Sequence, residues 1–153
     1  MHLVLLWLWI LEGVFACDGE TNGFSGEKMT SADQVELGVG WGWYPFTFTN
    51  AGSEGSRAFH FVTTTNTVLK VTDVYCPGDA FAVYDNGVLL GITPTVTAYC
   101  ENRTPLAELG YPSSGWSSAY FYLPPGDHLI TLIVTLSPWT AGGAYLKVDY
   151  NLS

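Results

Sequence analysis

From residue 46 onward, apolar and polar positions alternate in short runs separated by turn-forming residues. Phe46-Thr47-Phe48-Thr49 alternates, residues 50–56 form a Gly/Ser/Asn stretch, and Ala58-Phe59-His60-Phe61-Val62-Thr63 and Val68-Leu69-Lys70-Val71-Thr72 follow. Such β-branched and aromatic runs with a period of two predict strands. Ala80-Phe81-Ala82-Val83-Tyr84, then Asp85-Asn86-Gly87, then Val88-Leu89-Leu90 predicts a hairpin, because Asn-Gly supplies the two positive φ angles of a type I′ turn. Leu123-Pro124-Pro125-Gly126-Asp127 is a tight turn that launches a strand over 128–136. The apolar content of that run on both faces predicts a central, doubly covered strand. Residues 144–150 alternate, with Leu146 and Val148 inward and Lys147 and Asp149 toward water.

No stretch shows 3.6-residue periodicity, and 17 Gly with 8 Pro interrupt most helical windows. Many short strands joined by such turns predict two packed antiparallel sheets. The expected fold class is all-β, an antiparallel β-sandwich of jelly-roll type. An immunoglobulin-like sandwich is the alternative, without its Cys…Trp…Cys spacing.

The N-terminus follows a different pattern. Leu3 to Leu11 is an unbroken apolar run, followed by Glu12 and then Val14-Phe15-Ala16. It is shorter than the ~20 apolar residues that span a bilayer, so residues 1–16 read as a cleavable signal peptide, although they contain no Lys or Arg. A buried N-terminal strand is the other reading, and the run lacks its alternation. Residues 17–32 read as a polar, flexible arm and residues 33–153 as the sandwich domain, with no transmembrane segment after cleavage. The expected location is secreted, extracellular or at the cell surface.

Charge and cysteines narrow the partners. Fourteen acidic residues against five basic ones give a formal net charge of −9 with His neutral, so phosphate backbones are repelled and nucleic acid is excluded as a partner. The three cysteines are Cys17, Cys76 and Cys100. In an oxidising compartment Cys76 and Cys100 are the better couple, since each follows a tyrosine at a strand end. Cys17 then remains to pair between chains, stay free, or carry lipid within Val14-Phe15-Ala16-Cys17.

The candidate chemistry is sparse. Asn102-Arg103-Thr104 is a glycosylation sequon in a polar loop, and Asn151-Leu152-Ser153 is a second one at the end of the chain. After the signal segment only His60 and His128 could act as neutral-pH bases, and neither sits in a nucleophile-elbow or metal-ligand spacing. Asp73 and Asp79 are weak calcium candidates, with the plainer reading that Asp79 binds turn amides and Asp85 starts the hairpin. No cofactor is expected. The positive hint is aromatic: Trp41, Trp43 and Tyr44 lie among glycines, and Trp116 and Trp139 lie in turn-like segments. Exposed rings bind the apolar faces of sugars and anchor protein contacts.

The segment Gly78-Asp79-Ala80-Phe81-Ala82-Val83-Tyr84-Asp85-Asn86-Gly87, with Leu123-Pro124-Pro125-Gly126-Asp127-His128 and Ala141-Gly142-Gly143-Ala144-Tyr145-Leu146, resembles small secreted β-sandwich proteins of fungi and some bacteria, a group without an assigned function. The likeness covers about half of the mature chain. It implies export and a sandwich and transfers no site. The leading expectation is a non-catalytic extracellular binding module contacting glycan or matrix. A self-assembling coat, fibre or matrix subunit, associating through Cys17 or edge strands, is the alternative, and a small secreted hydrolase using carboxylates is the third.

Overall fold

A computed structural model describes residues 34–101, 103–111 and 113–153. Residues 1–33, which hold the expected signal peptide, the expected arm and Cys17, lie outside the described residues, as does Asn102. The elements are β1 (Gln34–Glu36), β2 (Tyr44–Phe48), β3 (Ala58–Thr63), β4 (Thr67–Val74), β5 (Ala80–Asp85), β6 (Val88–Ile92), α1 (Ala107–Gly110), β7 (Ser118–Leu123), β8 (Gly126–Leu136) and β9 (Gly142–Tyr150). Among the described residues no helix is long and apolar enough to cross a membrane.

Two sheets face each other, one in the order β1-β3-β8-β5-β6 and the other β2-β9-β4-β7. Every pairing is antiparallel except β1 with β3. With β1 set aside, the chain passes between two four-stranded sheets from β2 to β5 and again from β6 to β9, the double Greek key of a jelly roll. That strand order also excludes the immunoglobulin-like alternative.

The expected strands are present, and the alternation fills the space between the sheets. Phe46 and Phe48 of β2, Phe59 and Phe61 of β3, Leu69 and Val71 of β4, and Phe81 and Val83 of β5 are buried, as are Leu132, Val134, Leu146 and Val148. Phe81 meets Phe48 and Phe46 edge-on, with ring centroids 5.1 and 5.5 Å apart, so it ties the two sheets together. Replacing it with alanine removes both contacts and leaves a cavity that the rigid sheets cannot close. Phe81→Ala should therefore cost about 3–5 kcal/mol in denaturant unfolding.

The hairpin follows its expected chemistry. Asn86 and Gly87 have φ of 48° and 80°, the left-handed pair that type I′ requires. The Asn86 side chain also reaches β8, donating to Asp127 O at 2.8 Å and accepting from Leu129 N at 3.2 Å. The strand over 126–136 departs from expectation. Ile130, Leu132 and Val134 are buried, whereas Leu129, Thr131 and Ile133 on the other face are only half-buried, so β8 is central in its sheet but covered on one side. Among the described residues no further layer covers its outward face, which is flanked by β5 on one side and by β3 and residues 52–55 on the other.

β1 is short and polar, and a charged latch supports its docking. His60 on β3 places Nδ1 2.7 Å from a Glu36 carboxylate oxygen of β1 and Nε2 2.8 Å from Asp127 Oδ1 of β8. The hydrogen bonds to Glu36 and then Asp127 hold the imidazole pKa above its ordinary 6.5. A raised histidine pKa stabilises fully below 6.5, and the contribution is lost as pH climbs through the folded-state value. The pair is surface-lying, so the effect is about 1 kcal/mol or less. Hydrogen exchange at the Leu37 amide, which donates to His60 O at 2.8 Å, should be slower relative to the intrinsic rate on the acid side of this titration, and His60→Gln should remove the difference.

Candidate functional site

The outer face of the four-stranded sheet gathers aromatic rings and cations. Alternation on β9 sends Ala144, Leu146 and Val148 inward and Tyr145, Lys147 and Asp149 outward. On β4 it sends Leu69 and Val71 inward and Lys70 outward, and on β7 it exposes Tyr120 and Tyr122. The register places Lys70 opposite both Tyr120 and Lys147. Trp43 immediately precedes β2, where continuing the Tyr44–Leu146 register brings its ring to Lys147. The Lys147 ammonium sits 5.0 Å from the Trp43 ring centroid. Tyr111, following α1, lies across the same face, 5.6 Å from Trp43 between centroids and 5.5 Å from Lys70 Nζ.

Two ammonium groups side by side on neighbouring strands would repel. Here Lys70 and Lys147 share Asp149 Oδ2, at 2.8 and 3.1 Å, and each also faces an aromatic ring. Burial alone would raise the Asp149 carboxyl, but the hydrogen bonds from Lys70 and Lys147 hold it below the ordinary 3.8. Burial pushes the Tyr111 phenol up. Lys147 and Asp149, expected simply in water, are instead knitted half-buried into this network. Two of the chain's five basic residues are concentrated here. Tyr120 and Tyr122 extend the strip toward the β7 edge, edge-to-face at 5.5 Å.

Of the five aromatics expected at a site, the structure brings one to this face, Trp43. Trp41 is 82% exposed on a tight turn closed by its amide to Gly38 O, and its ring covers Gly38. Tyr44 packs against the core, and its hydroxyl accepts from the Gly38 amide at 3.2 Å. Trp116 lines a depression with Pro77, Val96 and Tyr99, and Trp139 lines a second cavity at the disulfide. The five therefore do not converge. Lys70, Tyr111, Tyr120, Tyr122, Lys147 and Asp149 were not expected at a site. Lys70, Lys147 and Asp149 are signalled in the chain only by outward positions on alternating strands, and Tyr111, Tyr120 and Tyr122 carry no such signal.

His60 and His128 use all their ring nitrogens. His128 is buried against Phe61, with Nδ1 2.8 Å from Asp85 Oδ2 and Nε2 2.9 Å from Pro124 O. His60 holds two carboxylates as described above. Cys76 and Cys100 form the expected disulfide, with Cα atoms 4.6 Å apart.

Asp73, rather than Asp79, binds the turn. Its Oδ2 accepts the Gly78 and Asp79 amides, each at 3.2 Å, because β4 ends with its side chain beneath that turn. Both carboxyl groups are buried, and Oδ1 of each has no hydrogen-bond partner. Burial, then the neighbouring Asp79 charge, pushes Asp73 up to about 8. Burial raises Asp79 as well, partly offset by the Ser137 hydroxyl. Among the described residues no group of three or more His, Cys, Asp or Glu side chains is arranged to hold a metal ion.

The class defined by this geometry is a jelly-roll sandwich with an aromatic and cationic outer sheet face. No family model matches the chain, and no curated protein matches it. Among solved structures, the pre-peptidase C-terminal domain of a collagenase from Bacillus anthracis aligns with 76% of this chain and 92% of its own length, at 11% identity and a TM-score of 0.40.

Proposed function

We propose that this domain is a non-catalytic extracellular module that binds an extended glycan chain across the outer face of the β2-β9-β4-β7 sheet. The observation that carries the reading is the strip itself: Trp43, Tyr111, Tyr120 and Tyr122 with two lysines seated among the rings. It crosses three strand spacings, about 14 Å, a length suited to several linked sugars. Rings offer flat apolar surfaces to sugar faces, and the lysines and Asp149 offer donors and an acceptor to hydroxyl or acidic groups. Among the described residues both ring nitrogens of His60 and of His128 are engaged, which supports a binding role over hydrolysis.

The test is retention on a panel of neutral and acidic polysaccharides in affinity electrophoresis. Trp43→Ala, and Tyr120→Ala with Tyr122→Ala, should each weaken binding about tenfold or more while leaving the fold intact. Trp41→Ala, whose ring stands apart, should change it little. A wild-type protein retained by no polymer removes the reading.

Self-association is the second reading, favoured by β6. Among the described residues β6 is a sheet edge that exposes Val88, Leu89 and Ile92, and it could accept a second copy by edge pairing. Sedimentation at rising concentration should then show a dimer that Leu89→Lys abolishes. A monomer throughout eliminates this reading.

A further inference from the structure

The cavity beside the disulfide is bordered by two residues that each carry a buried polar atom the protein does not satisfy. It has a volume of about 320 Å³ where β4 ends and β9 begins, and Tyr75, Asp79, Arg103, Trp139 and the Cys76–Cys100 bridge border it. Trp139 Nε1 is a buried donor without an acceptor, and Asp79 Oδ1 is a buried acceptor without a donor. Both residues border the same space, yet they do not hydrogen-bond to each other. Buried polar groups are nearly always paired, so each orphan calls for a partner.

The rim carries a second mark. Tyr75 holds φ at 69°, a left-handed conformation unfavourable for a bulky side chain, and a two-way backbone bridge to Thr104 keeps it there. Strain of this kind concentrates at ligand clamps. It places the ring over the glycine surface of β9, where a Cβ on Gly143 would lie 3.0 Å from it. The Tyr75 ring thus lies against β9 and borders the cavity together with the disulfide.

The lining selects among ligand chemistries. A metal ion would meet the Trp139 N–H and the Arg103 guanidinium, both of which repel it. An anion would meet Asp79 in a strongly acidic protein. A neutral hydroxyl group both accepts and donates, so it can satisfy Trp139 Nε1 and Asp79 Oδ1 together. The volume falls at the small end of ligand pockets, enough for a compact molecule.

We propose that this cavity binds a neutral polyhydroxylated ligand, a single sugar ring or chain end, with Trp139 Nε1 donating to it and Asp79 Oδ1 accepting from it while Tyr75 covers one face. The site is separate from the aromatic strip, since Gly143 and Lys147 are about 13 Å apart along β9. It therefore stands or falls independently of the chain-binding reading.

The experiment follows the tryptophan indole N–H resonances of the whole protein during separate titrations with glucose, galactose, mannose, N-acetylglucosamine, glycerol and calcium chloride. The expected result is saturable movement of the Trp139 resonance with at least one of the hydroxylated probes and none with calcium. In calorimetry with the same probe, Trp139→Phe, which keeps an aromatic ring but loses the donor, should weaken binding about tenfold, the effect of one hydrogen bond. Trp43→Ala should leave that affinity unchanged, which keeps failure here distinct from failure at the outer face. A Trp139 resonance unmoved by every sugar and by glycerol overturns the proposal. Movement with calcium alone, or undiminished affinity in Trp139→Phe, overturns it as well.

Discussion

Raising the pH from 3.8 to about 8 should steadily destabilise this domain, and Asp73→Asn should remove most of that loss. The folded protein keeps the Asp73 carboxyl protonated up to about 8 because the group is buried and Asp79 lies beside it, whereas the unfolded chain gives up this proton near 3.8. Between the two values the folded state binds more protons, so stability falls as pH rises. Each unit of difference is worth about 1.4 kcal/mol, which makes the full span on the order of 6 kcal/mol. Asp79, also raised, adds in the same direction. Glu36 and Asp149 are lowered and act oppositely, gaining stability as the acid range is left behind. The optimum should therefore be mildly acidic. Asparagine keeps an oxygen for the Gly78 and Asp79 amides and has no charge to bury, so the variant should gain several kcal/mol on the alkaline side and show a flatter profile, with the smaller slope due to Asp79 remaining. Urea titrations of both proteins across this range decide the matter: a flat wild-type profile would show that the pair ionises in the folded state without penalty.

The same carboxyl pair shows where reading along the chain stops being enough. Asp79 sits in Pro77-Gly78-Asp79 and has the local chemistry of a turn acceptor, but the turn folds back onto the end of β4, where Asp73 is already in place. Alternation is a local property, and it located β3 at residues 58–63 and the Asn86-Gly87 hairpin where the structure has them. It says nothing of which outward residues become neighbours. Lys70 and Lys147 are far apart in sequence and meet only because β4 pairs with β9, while Tyr111 reaches them only through the placement of α1. β7 is hard to read in the chain because tyrosine and phenylalanine share the outward and inward positions of Ser118–Leu123, which blurs the period of two. β1, with the sequence Gln-Val-Glu, carries almost no apolar signal, and a histidine bridge on its neighbour supports it. The loop at residues 41–44 concentrates rings in the sequence, yet the fold sends its three large residues to three different environments.

Eliminating the Cys76–Cys100 bridge should cost about 3–4 kcal/mol, the loop-closure entropy of a cross-link spanning 24 residues. The enclosed chain contains the whole β5–β6 hairpin, but β5 has its own hold, pairing with β8 and burying Phe81 and Val83. The sheet should therefore survive in Cys76→Ser/Cys100→Ser. The return segment after β6 has fewer attachments. Thr93 is fixed by the Phe81 amide and by the Ser117 hydroxyl, which also donates to Pro94 O at 2.6 Å, and Tyr99 donates its amide to Pro77 O at 3.2 Å. Beyond those bonds the disulfide holds residues 95–101 against the end of β4. Its loss should increase hydrogen exchange over that segment and at Thr104 far more than in β5 or β8. It also removes a wall of the cavity at Asp79 and Trp139, so any ligand affinity there should fall with the bridge while binding on the outer sheet face persists. Melting curves with and without reductant, joined to peptide-resolved exchange, test both halves. Uniform loosening of β5 and β8 would show instead that the bridge holds the sandwich itself together rather than one end of it.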